Sequence, residues 1–102
     1  MKEIMQLVER MKEELEDAKT YVDLAIEHKG ENNGLFTLYL DLANQETRHM
    51  EMLHDKAVEA IAAYRREHGE PPAAMLAVWD YEHKRLMHKA AKVRTMLMMQ
   101  NK

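Results

Sequence analysis

An all-α fold, a hairpin of three long antiparallel helices, is predicted by three observations. The chain has 102 residues, 46% of them hydrophobic and 32% charged, with only three Gly and two Pro. That is the composition of an ordered helical chain rather than a disordered one. Helix-breaking residues gather in two places, Gly30 to Gly34 and Gly69 to Pro72. Between them, apolar residues recur at the three- and four-residue spacing of a helix that buries one face.

The first helix is expected over about residues 2–29, where Ile4, Val8, Met11, Leu15, Ala18, Val22 and Ala25 form a heptad-like stripe uninterrupted by Gly or Pro. Gly30-Glu31-Asn32-Asn33-Gly34 is a stop and a turn. A second helix is expected over about 35–68. It ends at Gly69-Glu70-Pro71-Pro72, and a third runs from about 72 to 100. Connections this short favour antiparallel neighbours. At this length the chain is read as a single domain, 1–102, with room for a modest core. Leu24, Ile26 and the cluster Met96 to Met99 lie off the main stripes. Such an apolar surplus predicts a homo-oligomer that completes a bundle with symmetry mates.

Several function classes are disfavoured. A net charge of −3, with Lys and Arg scattered rather than clustered, gives no footing for nucleic acid. No apolar run is long enough for a membrane span, and no secretory signal is evident. The absence of cysteine removes thiolate chemistry and fits a cytoplasmic protein. Ten Met against one Phe and one Trp suggest a soft, adaptable core or interface.

Three carboxylates stand where a helical reading calls for apolar side chains. Leu7, Met11, Glu14, Ala18, Tyr21 and Ala25 make one such stripe. Leu35, Tyr39, Leu42, Glu46, His49, Leu53, Ala57, Ala60 and Tyr64 make the next, and Met75, Trp79, Glu82, Leu86, Ala90, Val93 and Leu97 the third. A carboxylate on a buried face persists when it is protonated, ion-paired or bound to a metal. Carboxylates from several helices meeting a Glu-x-x-His pair are how helical bundles hold two metal ions. The bare motif is weak: with 18 acidic residues and six His, about one acid-x-x-His is expected by chance, and the chain has three. Helical phase separates them. Glu51 and His54 share a face with Asn44 and Thr47 that reads as solvated, Asp80 and His83 are intermediate, and only Glu46 and His49 fall on an apolar stripe. His28, His54, His68 and His88 read as surface residues. Glu14 lies roughly 18 residues before the centre of the first turn and Glu46 roughly 14 after it, so an antiparallel pair brings them level. Glu82 is offset from His49 by roughly 13 Å by the same count. Glu14, Glu46 and His49 are therefore the expected metal ligands, with Glu82 and His83 as possible additions.

At these residues the chain resembles the ferritin-like superfamily. Glu14 followed seven residues later by Tyr21, within EELEDAKTY, is similar to its first helix, and ETRH at Glu46 to His49 to its second. The pattern is closest to the short encapsulated ferritins, whose half-bundle subunits build a di-iron site across a two-fold axis. The resemblance covers roughly residues 8–60; a fourth helix and a C-terminal cargo peptide are not evident, and the long third helix is outside the pattern. It implies iron as cofactor (Mn or Zn as alternatives), a second copy of the chain as partner, and possible ferroxidase activity. In that arrangement Glu46 bridges two ions, Glu14 and His49 each hold one, and Tyr21 orients a ligand carboxylate. The alternative is a non-catalytic structural or adaptor bundle whose inward carboxylates set helix register.

Overall fold

The computed structural model describes residues 2–100, which form three helices joined by two short connections: α1 (Lys2–His28), α2 (Asn33–His68) and α3 (Ala73–Gln100), with no strand among the described residues. No helix there is long and apolar enough to cross a membrane.

Local chemistry sets the helix ends. At the end of α1, Gly30 takes φ of 81°, and the amides of Glu31 and Asn32 donate to the carbonyl of His28 at 3.1 and 3.0 Å. These bonds satisfy a carbonyl that the helix itself cannot. Asn32 then caps α2: its side-chain oxygen accepts from the Leu35 amide at 3.0 Å. That cap is why α2 starts two residues before Leu35. At the other end the Gly69 amide donates to the Arg65 carbonyl at 3.0 Å, with Gly69 at φ 79°, ψ −162°. Pro72 opens α3, its carbonyl accepting from the amides of Met75 and Leu76.

The core is the seam between α1 and α2. α1 buries Ile4, Val8, Met11, Leu15, Ala18, Val22 and Ala25, the heptad-like stripe visible in its sequence. α2 answers with Ala43, Thr47, Met50, Ala57 and Ile61. Small residues such as Ala18, Ala43 and Ala57 let the two backbones approach. Contacts pair late residues of α1 with early ones of α2 and the middles of both: Tyr21 lies against Tyr39 with ring centroids 6.2 Å apart, and Glu14 lies beside His49. α3 buries Trp79, Leu86, Ala90, Val93 and Leu97 and leans mainly on α1. Polar ties fix its register: Lys12 to Glu82 at 3.1 Å, Lys29 to Gln100 at 2.8 Å, and Arg94 to Glu51 of α2 at 3.0 Å.

The buried face of α2 differs from the expected one by about one residue of helical phase. The stripe through Leu35, Tyr39, Leu42, Glu46 and Leu53 is half-buried flank, and His49 on it is exposed. The face holding Asn44, Thr47 and His54, expected to be solvated, is instead turned inward: Thr47 is buried, and Asn44 and His54 are half-buried. Thr47 and Asn44 bond their own helix, Thr47 Oγ1 donating to the Ala43 carbonyl at 2.9 Å and Asn44 Nδ2 to the Leu40 carbonyl at 3.0 Å. A hydroxyl or amide satisfied this way can be buried at small cost. Glu51 alone on that face stays exposed, paired with Arg94.

Candidate metal centre

Glu14 comes from the middle of α1 and Glu46 and His49 from successive turns of α2. Side chains three apart on a helix share a face, so Glu46 and His49 both present themselves to Glu14 across the seam. His49 Nδ1 stands 3.7 Å from Glu14 Oε2 and 3.7 Å from Glu46 Oε2. One donor atom from each of the three residues lies within 4.8 Å of the others, and among the described residues this is the one group of three or more His, Cys, Asp or Glu so gathered. At 3.7 Å the contacts are too long for hydrogen bonds. Two carboxylates are thus held together around a ring nitrogen that bonds to neither.

The group sits on the flank of the seam rather than in its centre. The side chains of Glu46, Glu14 and His49 are 19%, 28% and 52% exposed. The carboxylates are half-sheltered, while the imidazole faces outward in the single chain. The reason is the phase of α1 and α2: the heptad stripe Met11, Leu15, Ala18 fills the interior, and Leu7, Glu14 and Tyr21 are carried to its edge.

The other expected site residues lie apart from this group. The Tyr21 ring packs on Tyr39, which in turn packs on His28 at 5.8 Å between centroids. Among the described residues the Tyr21 hydroxyl makes no hydrogen bond to Glu14 or Glu46. Glu82 is turned toward α1, where its Oε2, shielded from solvent, is 3.1 Å from Lys12 Nζ. The carboxylate of Glu82 raises the pKa of Lys12 above that of a free lysine, and partial burial of the ammonium opposes it. Glu82 therefore already has its cation.

His83 meets His54, the residue read from sequence as exposed. Their Nε2 atoms are 2.9 Å apart, linking α3 to α2. His83 also packs on Trp79, with centroids 5.0 Å apart and planes inclined by 22°. His54 Nδ1 is 3.3 Å from Asp55 Oδ1. Burial, and then the neighbouring His54, hold the pKa of His83 below the usual histidine value, with Asp80 opposing them. The signal for this pair was present in the sequence: Ala43, Thr47, Met50, His54, Ala57 and Ile61 are a continuous helical stripe, disguised by its two polar members.

The fold and site together define an all-helical chain with a carboxylate-imidazole group on the flank of its principal helix pair. No family model matches the chain, and neither the curated proteins nor the solved structures contain a match to it.

Proposed function

We propose that the chain is a ferritin-like metal-binding half-bundle, an antiparallel three-helix hairpin that pairs with a second copy. Each chain contributes Glu14, Glu46 and His49 to a two-ion centre at the interface. The observation that carries this reading is the convergence of those three donors within 4.8 Å on a half-open flank. The donor set fits an ion. Ligands bound at about 2.0–2.2 Å lie at most about 4.4 Å from one another, so small side-chain rotations suffice. Carboxylate oxygen with imidazole nitrogen suits Fe(II), Mn(II) or Zn(II). Two carboxylates per chain also balance one divalent charge, which relieves the like-charge repulsion between Glu14 and Glu46.

In this reading Glu14, Glu46 and His49 would hold the ions, Glu46 shared between the two and Glu14 and His49 serving one each. Iron, when bound, supplies the redox chemistry of a ferroxidase. The chain's own residues hold and neutralise it, and they keep water away. That last task needs the second copy. Leu38 (48% exposed) and Met52 (69% exposed) on α2 straddle His49 along the helix, and a partner laid over them would dry the group.

The test is metal content after anaerobic Fe(II) loading. About one ion per chain is expected for the native protein, falling to background in Glu46→Ala and His49→Ala. A native protein that retains no metal after loading ends the proposal. In a purely structural bundle, where His49 and the two carboxylates only set register, the thermal stability of the native protein would respond to Fe(II), Mn(II), Zn(II) or chelator no differently from that of Glu46→Ala/His49→Ala.

A further inference from the structure

We propose that His54 and His83 form a second metal site, an all-nitrogen clamp between α2 and α3 that takes a borderline divalent cation of the Zn(II) or Cu(II) class. The pair contains none of the three flank ligands, and the inference does not depend on the reading of that group.

The two Nε2 atoms at 2.9 Å can share one proton, with one ring donating and the other accepting. Two imidazoles, half-buried between helices, are thus aimed at each other with a single light ion between them. A metal ion about 2.0–2.1 Å from both nitrogens requires them about 2.9 Å apart at a right angle and about 3.3 Å apart at a tetrahedral angle. The separation already lies at the near end of that range. Binding displaces the shared proton and needs both rings to swing so that their lone pairs meet at one point. His54, 24% exposed, leaves solvent a way in for the ion and for the remaining ligands.

The surroundings are those of a supported ligand. Asp55 stands at Nδ1 of His54, where a carboxylate fixes the tautomer that leaves Nε2 free to bind and makes the ring a better donor. Trp79 lies against the face of His83 and limits its rotation. Asp80, one turn before His83, is exposed and within reach of its charge. Imidazole donors favour Zn(II), Ni(II) and Cu(II) over the harder ions that a carboxylate-rich group takes. The consequence is structural: α3 leans mainly on α1, and an ion held by both histidines would fasten it to α2 as well.

Trp79 is the one tryptophan of the chain and packs on His83, so it reports the clamp directly. Cu(II) added to the native protein should quench its emission, saturating near one ion per chain, and Zn(II) should reverse the quenching by competition. His54→Gln keeps Trp79 and His83 in place and should need at least tenfold more Cu(II) for the same quenching. Glu46→Ala/His49→Ala, which dismantles the flank group, should behave as native, so failure of one site is distinguishable from failure of the other. If His54→Gln does not fold, nitrogen NMR of the native protein decides: Zn(II) should shift the Nε2 resonances of His54 and His83 together. Equal quenching with and without His54, or Zn(II) shifts that spare either ring, would overturn the proposal.

Discussion

Lys12 and Glu82 show how a single residue's partner decides its role. Glu82 lies on the buried stripe of α3 between Trp79 and Leu86, with its side chain 15% exposed. Such a carboxylate needs either a metal or a cation, and sequence alone left both open. The structure supplies Lys12, at 3.1 Å. Removing one partner of a buried pair costs about 3–5 kcal/mol, but Lys12 is 36% exposed and water offsets part of that loss. Lys12→Met should therefore destabilise the protein by about 1–2 kcal/mol in urea denaturation. Adding Glu82→Gln should restore a good part of the loss, because the stranded charge is then gone. If Lys12→Met and Glu82→Gln are additive in the double variant, the two residues do not act as a pair.

At the scale of the element, the turns were the most legible part of the sequence, because Gly, Pro and Asn act there through their own backbones. Gly69, at φ 79°, ψ −162°, occupies a region open essentially to glycine alone. A Cβ at this position would meet nothing within 4 Å, so the cost of Gly69→Ala is torsional, about 1–3 kcal/mol. Gly34 is the opposite case. It lies inside the first turn of α2, has no positive φ, and its added Cβ would make only an ordinary 3.5 Å contact with Asn32. Gly34→Ala should stabilise by up to about 1 kcal/mol. Thermal melts of the two variants should move in opposite directions, and a shared direction would refute this account of the turns. Helical phase was harder to read than helix ends. α3 offers one apolar stripe, most of which the structure buries, whereas of the two overlapping stripes of α1 it buries the one through Ile4, Val8 and Leu15 and carries Leu7, Glu14 and Tyr21 to the edge. α2 carries apolar residues on two adjacent stripes, and the one with more leucine and tyrosine is the flank. The buried one passes through Thr47, which bonds its own helix at Ala43, and through His54, which bonds His83. Polar residues that satisfy themselves locally or across a seam are invisible to a hydropathy count. The same shift explains the candidate metal group: Glu14, Glu46 and His49 were expected together and lie together, but on the flank rather than in a dry interior.

For the whole molecule, shape bears on the proposed two-copy centre. The chain is a rod of 55 × 20 × 17 Å, so thin that little of any helix is far from solvent. Ile26, Leu38, Met52, Val58, Met98 and Met99 are all exposed by 41% or more. If a second copy covers the flank of α2, metal binding and pairing must be linked, since each completes what the other needs. Linkage is reciprocal: metal should strengthen pairing by the factor by which pairing strengthens metal binding. Met52→Lys places charge one turn from His49 and Leu38→Lys about 16 Å away along α2, neither altering a ligand, and at exposed helix positions they should change stability by less than about 0.5 kcal/mol. Circular dichroism should therefore remain helical in Leu38→Lys/Met52→Lys. Light scattering should then find single chains where the native protein with Fe(II) forms pairs, and metal content should fall with the loss of pairing. Dilution of the native protein should have the same effect, releasing metal as pairs dissociate. A variant that stays single yet holds native levels of iron would mean that one flank suffices, and the two-copy centre would have to be abandoned.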